Sequence, residues 1–414
     1  MVIVEFFDRT PIENMIGAFA NRPERVVLVG DCKKMQQQDN NYRRFLAATG
    51  NDVTQLEYRG VKVHQLHEIV RVLEGVVQDY PGCCFDLTGG DDLTMVAIGV
   101  VYERHREQGI EMHQYNIRTG TVYDCDLDGD VVDGQIPDMT VEQNVILHGG
   151  CIVSADQRES GTFQWVFDED FVHDIETMWR ISSANPGGWN HQLSMLDEMQ
   201  KFASFSEDGL GMRASIPAAE RYFRARHLKL NLKGIFYRLE REGLLTTLEN
   251  DDVHFSLRFR NEQVKRCLTK AGTILELKTY LIAASLTEKD GSARYNDVMT
   301  GVFIDWDGVV HEKSESAVDT ENEIDLVLMR GLVPVFVSCK NGAVGEEELY
   351  KLHTVASRFG GAYARKLLIG TTLGKSGRGK QYFLQRAKDM KIQVLDEVHT
   401  LSDEQFRKKL KAFA

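Results

Sequence analysis

No stretch of the 414-residue chain approaches the roughly 18 consecutive apolar residues of a membrane-spanning helix, so no such span is expected. The opening residues, MVIVEFFDR, lack a basic segment ahead of an apolar core; a secretory signal is not expected, and a cytoplasmic location is. Cysteine is sparse: seven residues, one adjacent pair (Cys83, Cys84) and no CxxC. That pattern indicates reduced, mostly buried thiols, with neither a disulfide framework nor a zinc site. Positive charge is in deficit, 49 Lys+Arg against 62 Asp+Glu for a net charge of −13. Broad nucleic-acid binding would therefore need basic residues concentrated on a local surface. Two phosphate-binding signatures are also missing. No GxGxxG follows a strand, which disfavours a nicotinamide-binding fold. In GTTLGKSGRGK, Gly370 and Gly374 enclose three residues where a P-loop needs four, so an ATPase reading fails.

What remains is an ordinary soluble composition, 43% hydrophobic and 27% charged, in a chain long enough for two or three domains. Residues 1–150 alternate strand and helix signals: strand RVVLVGD (25–31), helix NYRRFLAATG (41–50), helix VHQLHEIVRVLEGVVQ (63–78), strand CCFDLTGG (83–90) and helix DDLTMVAIGVVYERHREQG (91–109). Such alternation with short loops predicts a doubly wound, mostly parallel sheet with ligands at the carboxyl ends of its strands. Residues 151–261 read as a connector: helices broken near Asn185-Pro186, then two short helices closing at Gly243 and a hairpin turning at Asn250-Asp251-Asp252, the pattern of a winged helix. Residues 262–414 begin with a helix through AGTILELKTYLIAASL. Strand GVFIDWDGVV, two adjacent apolar strands (IDLVLM, VPVFV), helix GEEELYKLHTVASRFGG, strand ARKLLIGTT and a final αβα stretch follow.

The apolar hairpin runs into charge, and burying an unpaired charge costs several kcal/mol, so those charges need a reason. Side chains two apart on a strand share a face. Ser338 and Lys340 therefore point one way, and Glu323 and Asp325 share a face of the preceding strand. Glu276 sits on the helix just before them. A helix glutamate, a strand aspartate and a lysine closing the next strand are the components of a metal-dependent nuclease site: carboxylates hold Mg²⁺ or Mn²⁺, and the lysine orients water or neutralises developing charge. A decayed site with a surface lysine is the plain alternative. Between 360 and 391, Arg365, Lys366, Lys375, Arg378, Lys380, Arg386, Lys388 and Lys391 stand against one acid, Asp389, which suggests an electrostatic track for phosphates.

In the first domain, FDLTGGDDLTMVAIG (85–99) is the informative piece. Glycines after a buried strand let a ligand approach the backbone, and Thr88 with the N–H groups opening the next helix can hold a phosphate or a nucleobase edge. Asp91 and Asp92 either cap that helix or accept from ribose hydroxyls and adenine amines. His64 and His67 read as a solvated helix face, and His148-Gly149-Gly150 as a helix end. Asp305 and Asp307 share a strand face, with a supporting role near the metal or a strand-end turn equally in view.

On these residues the C-terminal part resembles the PD-(D/E)xK nuclease superfamily, with αβββαβ order, Asp325 on the second core strand and Ser338-Cys339-Lys340 where the motif places (D/E)xK. Ser338 departs from the pattern, and Glu276 or Glu323 is expected to supply the missing carboxylate. With FFDRTPIENMIGAF (6–19) and RVVLVGD, the N-terminal part resembles a CARF domain, a Rossmann-like sensor of cyclic oligoadenylates. The whole chain looks like the type III CRISPR ancillary nucleases that join a CARF domain, a winged-helix-like connector and a PD-(D/E)xK domain. The resemblance implies a homodimer that binds cyclic tetra-adenylate across its two-fold axis through Asn14, Gly30, Asp31, Thr88, Gly89, Gly90 and Asp91. It further implies metal held by Asp325, Glu276 and Glu323, with Lys340 and Ser338 beside it, and cleavage of single-stranded RNA or DNA, or nicking of supercoiled DNA. A rival is a cyclic-oligoadenylate-responsive regulator with a degenerate nuclease domain, reading nucleic acid through Arg226, Lys229, Lys233, Arg238 and Arg241. Degradation of the ligand by the CARF domain is a third idea; no histidine or other evident base adjoins Thr88 in sequence.

Overall fold

The computed structural model describes residues 1–125, 136–232, 234–251, 253–311 and 320–413. Lys233 and Asp252, part of the expected basic helix and hairpin turn, lie outside the described residues. No helix among the described residues is long and apolar enough to cross a membrane.

The first sheet is built from β1 (Val2–Phe6), α1 (Ile16–Asn21), β2 (Arg25–Gly30), α2 (Cys32–Ala48), β3 (Gln55–Gly60) and α3 (Leu66–Asp79). It continues through β4 (Cys84–Asp86), α4 (Asp92–His105), β5 (Glu111–Asn116), β6 (Thr121–Asp124) and α5 (Val141–Leu147). Strand order is β3-β2-β1-β4-β5-β6, parallel except for the antiparallel β5–β6 pair. Order reverses between β1 and β4, so the crevice for a ligand opens where the loops after these two strands diverge. Helix α2 starts at Cys32, nine residues before the expected NYRRFLAATG, because Asp31 caps it by accepting from the amides of Lys33 and Lys34. Helix α3 starts at Leu66, which leaves His64 outside it; both His64 and His67 are exposed.

Residues 151–261 hold β7 (Cys151–Ile152), α6 (Glu169–Ala184), α7 (Pro186–Gln200), β8 (Ser204–Phe205), β9 (Gly211–Ser215), α8 (Ile216–Arg224), α9 (Ile235–Arg241), β10 (Leu245–Asn250) and β11 (His254–Phe259). Helices α8 and α9 with the β10–β11 wing match the winged-helix expectation, β9 and β8 completing a sheet of order β10-β11-β9-β8. The basic residues do not form one recognition helix: Arg238 and Arg241 are on α9, but Arg226 lies beyond α8 with its guanidinium 3.6 Å from the Tyr222 ring centroid.

The last part holds α10 (Glu262–Thr269), α11 (Thr273–Ala284), β12 (Asp297–Asp305), β13 (Glu321–Arg330), β14 (Val333–Lys340) and α12 (Glu347–Gly360). It ends with β15 (Arg365–Gly370), α13 (Gly377–Asp389), β16 (Ile392–Leu395) and α14 (Asp403–Ala412). Its sheet runs β16-β15-β14-β13-β12-β7, antiparallel from β7 to β14 and parallel from β14 to β16. Strand β7 pairs with β12 through Cys151 and Asp305, so residues 151–152, expected in the connector, complete this sheet instead.

One face of the first sheet closes on α3 and α4 around Val4, Phe6, Phe85 and Leu73. The other shares a single apolar cluster with the last sheet, Phe45 and Val145 packing in the same core as Ile304, Phe336 and Phe359. A third cluster joins the connector helices to the opposite face of the last sheet. Helix α11 is buried nearly all round, and Lys278 on it is paired: its ammonium donates to both Glu176 oxygens at 2.8 and 2.7 Å and to Asp403 at 2.8 Å. Pairing offsets what an isolated buried charge would cost.

Candidate active site

Strands β13 and β14 pair with Leu326 opposite Val337, which puts Asp325 and Ser338 next along the ladder and Lys340 just beyond them. Asp325 Oδ2 accepts from the Cys339 backbone N–H at 2.6 Å, the Ser338 hydroxyl at 3.1 Å and the Lys340 ammonium at 3.4 Å. The SxK segment thus grips the aspartate at three points. Burial raises the Asp325 carboxyl above its ordinary value, although Lys340 and the Cys339 amide pull it down. Lys340 also touches Glu348 Oε2 at 3.2 Å. Burial works to lower the Lys340 ammonium, but Asp325 and Glu348 overcome it, so the lysine stays charged.

Glu276 projects from α11 with 5% exposure, and its carboxyl is pushed up to about 8, first by burial and then by the Asp325 charge. Glu323 is drawn aside by an ion pair with Lys270. Among the described residues, Glu276, Glu323 and Asp325 do not bring three ligating oxygens within 4.8 Å of one another. The expected three-carboxylate cluster is therefore not closed: Glu276 and Asp325 face one another electrostatically, and Glu323 turns to Lys270. Two cavities meet at Glu323. One, of about 70 Å³, is lined by Asp325, Ser338, Lys340 and Glu348; the other, of about 210 Å³, by Glu276, Lys270, Arg266 and Trp165.

Asp305 is not part of this site. It ends β12 opposite Glu321, four residues along from Asp325, and its carboxylate accepts from the Asp307 and Gly308 amides at 3.1 and 2.9 Å. Strand-end turn is its role. The basic stretch also differs from the single track expected. Because α13 runs back across the sheet, Lys375, Arg378 and Lys380 lie at the edge where β14 and β15 end, while Arg365, Lys366, Lys388 and Lys391 lie at the opposite edge. Lys380 is moreover paired with Asp396 at 2.7 Å.

Gly30, Asp31 and Thr88 to Asp91 lie at the carboxyl edge of the first sheet, and several are turned inward. Asn14 is 1% exposed: its side-chain oxygen accepts from the Asp8 amide at 2.6 Å, and its NH₂ donates to the Asp8 carbonyl and the Tyr42 hydroxyl at 2.9 and 3.0 Å. It locks the β1 loop and presents no free amide. The Thr88 hydroxyl donates to Asp86 at 2.5 Å and accepts from the Tyr115 amide at 2.8 Å. Gly89 is fixed by crowding, since a Cβ there would sit 2.7 Å from the Phe6 carbonyl oxygen and 3.1 Å from that of Glu13. Asp91 caps α4 through the Thr94 amide at 2.9 Å. Asp91 and Asp92 are nonetheless exposed at this edge, as are Arg9, Lys33 and Lys34.

Three arrangements escaped the sequence reading. Glu348 belongs to an acidic run (Glu346 to Glu348) that opens a helix, where acids are ordinary. Lys270 is separated from Glu323 by 53 positions. Cys84, Glu111 and His113 meet on β4 and β5 with ligating atoms within 4.8 Å, at a spacing no short motif announces.

No protein-family model matches the chain, and no curated protein matches it in sequence. Solved structures do. Can2 from Sulfobacillus thermosulfidooxidans, solved in complex with cyclic tetra-adenylate, superposes with a TM-score of 0.66 at 16% identity over 100% of this chain and 98% of its own. The chain has the Can2 fold. Protein VC1899 from Vibrio cholerae shares it with a TM-score of 0.68 at 15% identity, over 100% of this chain and 97% of that one. A type III CRISPR defence DNA nuclease activated by cyclic oligoadenylate matches with a TM-score of 0.50 at 13% identity, over 90% of this chain but 45% of its own length. The match to Can2 covers the whole chain, so all three sheets fall within it.

Proposed function

We propose that the protein is a metal-dependent endonuclease of type III CRISPR antiviral defence, activated by cyclic tetra-adenylate and cutting single-stranded RNA or DNA as a homodimer. The observation that carries this reading is the grip of Ser338, Cys339 and Lys340 on Asp325, with the buried Glu276 close enough for the Asp325 charge to raise its proton affinity. Two carboxylates forced together in a buried place fit a divalent cation, and an all-oxygen donor set suits Mg²⁺ or Mn²⁺. Glu276 and Asp325 would hold the ion, and Glu323 would join them on leaving Lys270. When bound, such an ion stabilises charge on a scissile phosphate and acidifies water.

The protein's own groups do the rest. Lys340, charged and 3.4 Å from Asp325, places a cation beside the position of the phosphate and donates to a water or a phosphate oxygen there. Glu348 holds the ammonium from the other side, at 3.2 Å. Ser338 serves Asp325 as a hydrogen-bond donor. For the activator, Lys33 and Lys34 at the first turn of α2 offer charge to phosphates, and Asp31 and Asp91 offer acceptors to ribose or adenine groups. A two-fold-symmetric ring suits two copies of this edge. The regulator reading fits less well, because its basic residues are split between α9 and the turn beyond α8.

The test is cleavage of fluorescent single-stranded RNA and DNA in Mn²⁺, with and without cyclic tetra-adenylate. Ligand-dependent cleavage lost in Asp325→Asn supports the proposal. Sequence-specific duplex binding with no cleavage under any of these conditions favours the regulator.

A further inference from the structure

The edge of the last sheet remote from Lys340 holds an open cavity of about 360 Å³ whose lining includes Arg118, Arg365, Lys366, Lys388 and Lys391, together with Tyr363. No aspartate or glutamate lines it. Arg118 comes from the turn between β5 and β6 of the first sheet; the others come from the starts of β15 and β16 and the end of α13. Five cations from three parts of the chain therefore converge without a carboxylate among them, in a protein whose net charge is −13. A smaller adjoining cavity repeats Arg118 and Arg365 and adds Arg330.

Physical strain marks the cluster. Burial and then the charges of Arg330 and Arg118 lower the Arg365 guanidinium, and burial followed by Lys391 lowers the Lys366 ammonium. Lys391 adopts a left-handed backbone (φ 56°) that a residue with a side chain rarely takes, at the turn where α13 gives way to β16. Lys366 at the base is occupied, donating to the Met390 carbonyl at 2.6 Å, whereas Lys388 and Lys391 at the mouth are exposed and form no ion pair with any described residue. Like charges held together destabilise a fold unless an anion neutralises them.

We propose that this cavity is a second phosphate-binding site, one that takes the backbone of a single nucleic-acid strand away from the point of cleavage. Arg365 pairs with Val335, five residues from Lys340, which at about 3.3 Å per residue puts the site roughly 16 Å along the sheet from the catalytic lysine. It cannot hold the scissile phosphate. An open mouth edged by Lys388 and Lys391 admits a polymer that continues past it, and the contacts are to phosphates, so no base sequence is selected. The choice of a nucleic-acid strand as ligand rests on the nuclease reading above; the cation cluster does not.

The experiment is fluorescence anisotropy of a labelled single-stranded oligothymidylate on the full-length protein in EDTA, titrated at several salt concentrations. Cleavage is silenced there, so a protein that never cuts nucleic acid still returns a valid result. Each phosphate contact to a single strand contributes about 0.7 to the slope of log K against log salt. The variant Lys388→Gln/Lys391→Gln is expected to lose about 1.4 of that slope, with a thermal midpoint no lower than that of the unmodified protein, because both side chains are exposed and their removal relieves like-charge repulsion. Arg118→Gln, on the other wall, should remove about 0.7 independently. Slopes equal to that of the unmodified protein in both variants would overturn the proposal. Inorganic triphosphate is the second arm: if the variants lose its binding while the oligonucleotide slope stays put, the cavity serves a small free polyphosphate and the strand assignment falls.

Discussion

Tyr363 donates its hydroxyl to Glu13 over 2.5 Å, joining the loop after β1 to the loop just beyond α12. The same helix carries, in its first turn, the Glu348 that touches Lys340 at 3.2 Å. One helix of 14 residues thus has the β1 loop at one end and Lys340 at the other. Gly89 packs on the Glu13 carbonyl, so a ligand that shifts the Thr88–Asp91 loop would press on this contact.

Removing the hydroxyl should weaken that connection without touching Asp325 or Lys340. Tyr363→Phe is expected to cut stimulation by cyclic tetra-adenylate about tenfold, the equivalent of one hydrogen bond to a carboxylate. Cleavage in the absence of activator should stay unchanged. Rates measured with saturating and with no activator decide it; equal stimulation in both proteins refutes the coupling.

Burial, with Asp8 and Asp86 nearby, pushes the Glu13 carboxyl up to about 7 against the pull of Tyr363. A carboxyl raised on folding binds more protons in the folded state, so its stabilising contribution is whole below its unfolded value near 4.5 and disappears as pH climbs through 7. Glu13→Gln should accordingly flatten the fall in thermal midpoint between about pH 4.5 and 7. Identical pH profiles for the two proteins would show that Glu13 titrates as it does in the unfolded chain.

Asp325→Asn keeps the shape of the β13–β14 ladder but removes the charge, and Lys340→Met removes the cation while keeping its stem. Each should lower cleavage by at least about a hundredfold, the scale of losing one preorganised electrostatic group. Oligonucleotide binding in EDTA should persist. Full activity in either variant would remove this edge from consideration as the active site.

Ser338 occupies the place where an acid is usual in the resembled nucleases, with Asp325 beside it. Ser338→Asp adds a third buried carboxylate, so without metal its thermal midpoint should fall by several degrees, on the order of 1–3 kcal/mol. Millimolar Mn²⁺ should restore more of that loss in Ser338→Asp than it adds to the unmodified protein. Differential scanning fluorimetry with and without Mn²⁺ reads this directly; an equal Mn²⁺ shift in both proteins means that no ion binds between these strands.

Much of this architecture was legible because its strands are buried on both faces. VPVFV and IDLVLM read as neighbouring strands, and the two-residue period put Ser338 with Lys340 on one strand and Glu323 with Asp325 on the other, while the register that brings Asp325 beside Ser338 is seen only in the structure. What escaped depended on contacts distant in sequence. Asn14 reads as a ligand-facing amide until Tyr42, 28 residues on, claims its NH₂. The charges from Arg365 to Lys391 read as one track because sequence order says nothing of α13 returning across the sheet. Glu323 qualifies as a ligand by strand period, but Lys270 on another element holds it aside.

The apolar cluster in which Phe45 and Val145 pack with Phe336 and Phe359 leaves no clean line at which to separate the halves. Scissors placed after α5 would bare oily flesh on both pieces, and a chimera fitted with another sensor would inherit a mismatched seam. A change of side-chain volume on either side of that seam is therefore felt by both halves at once.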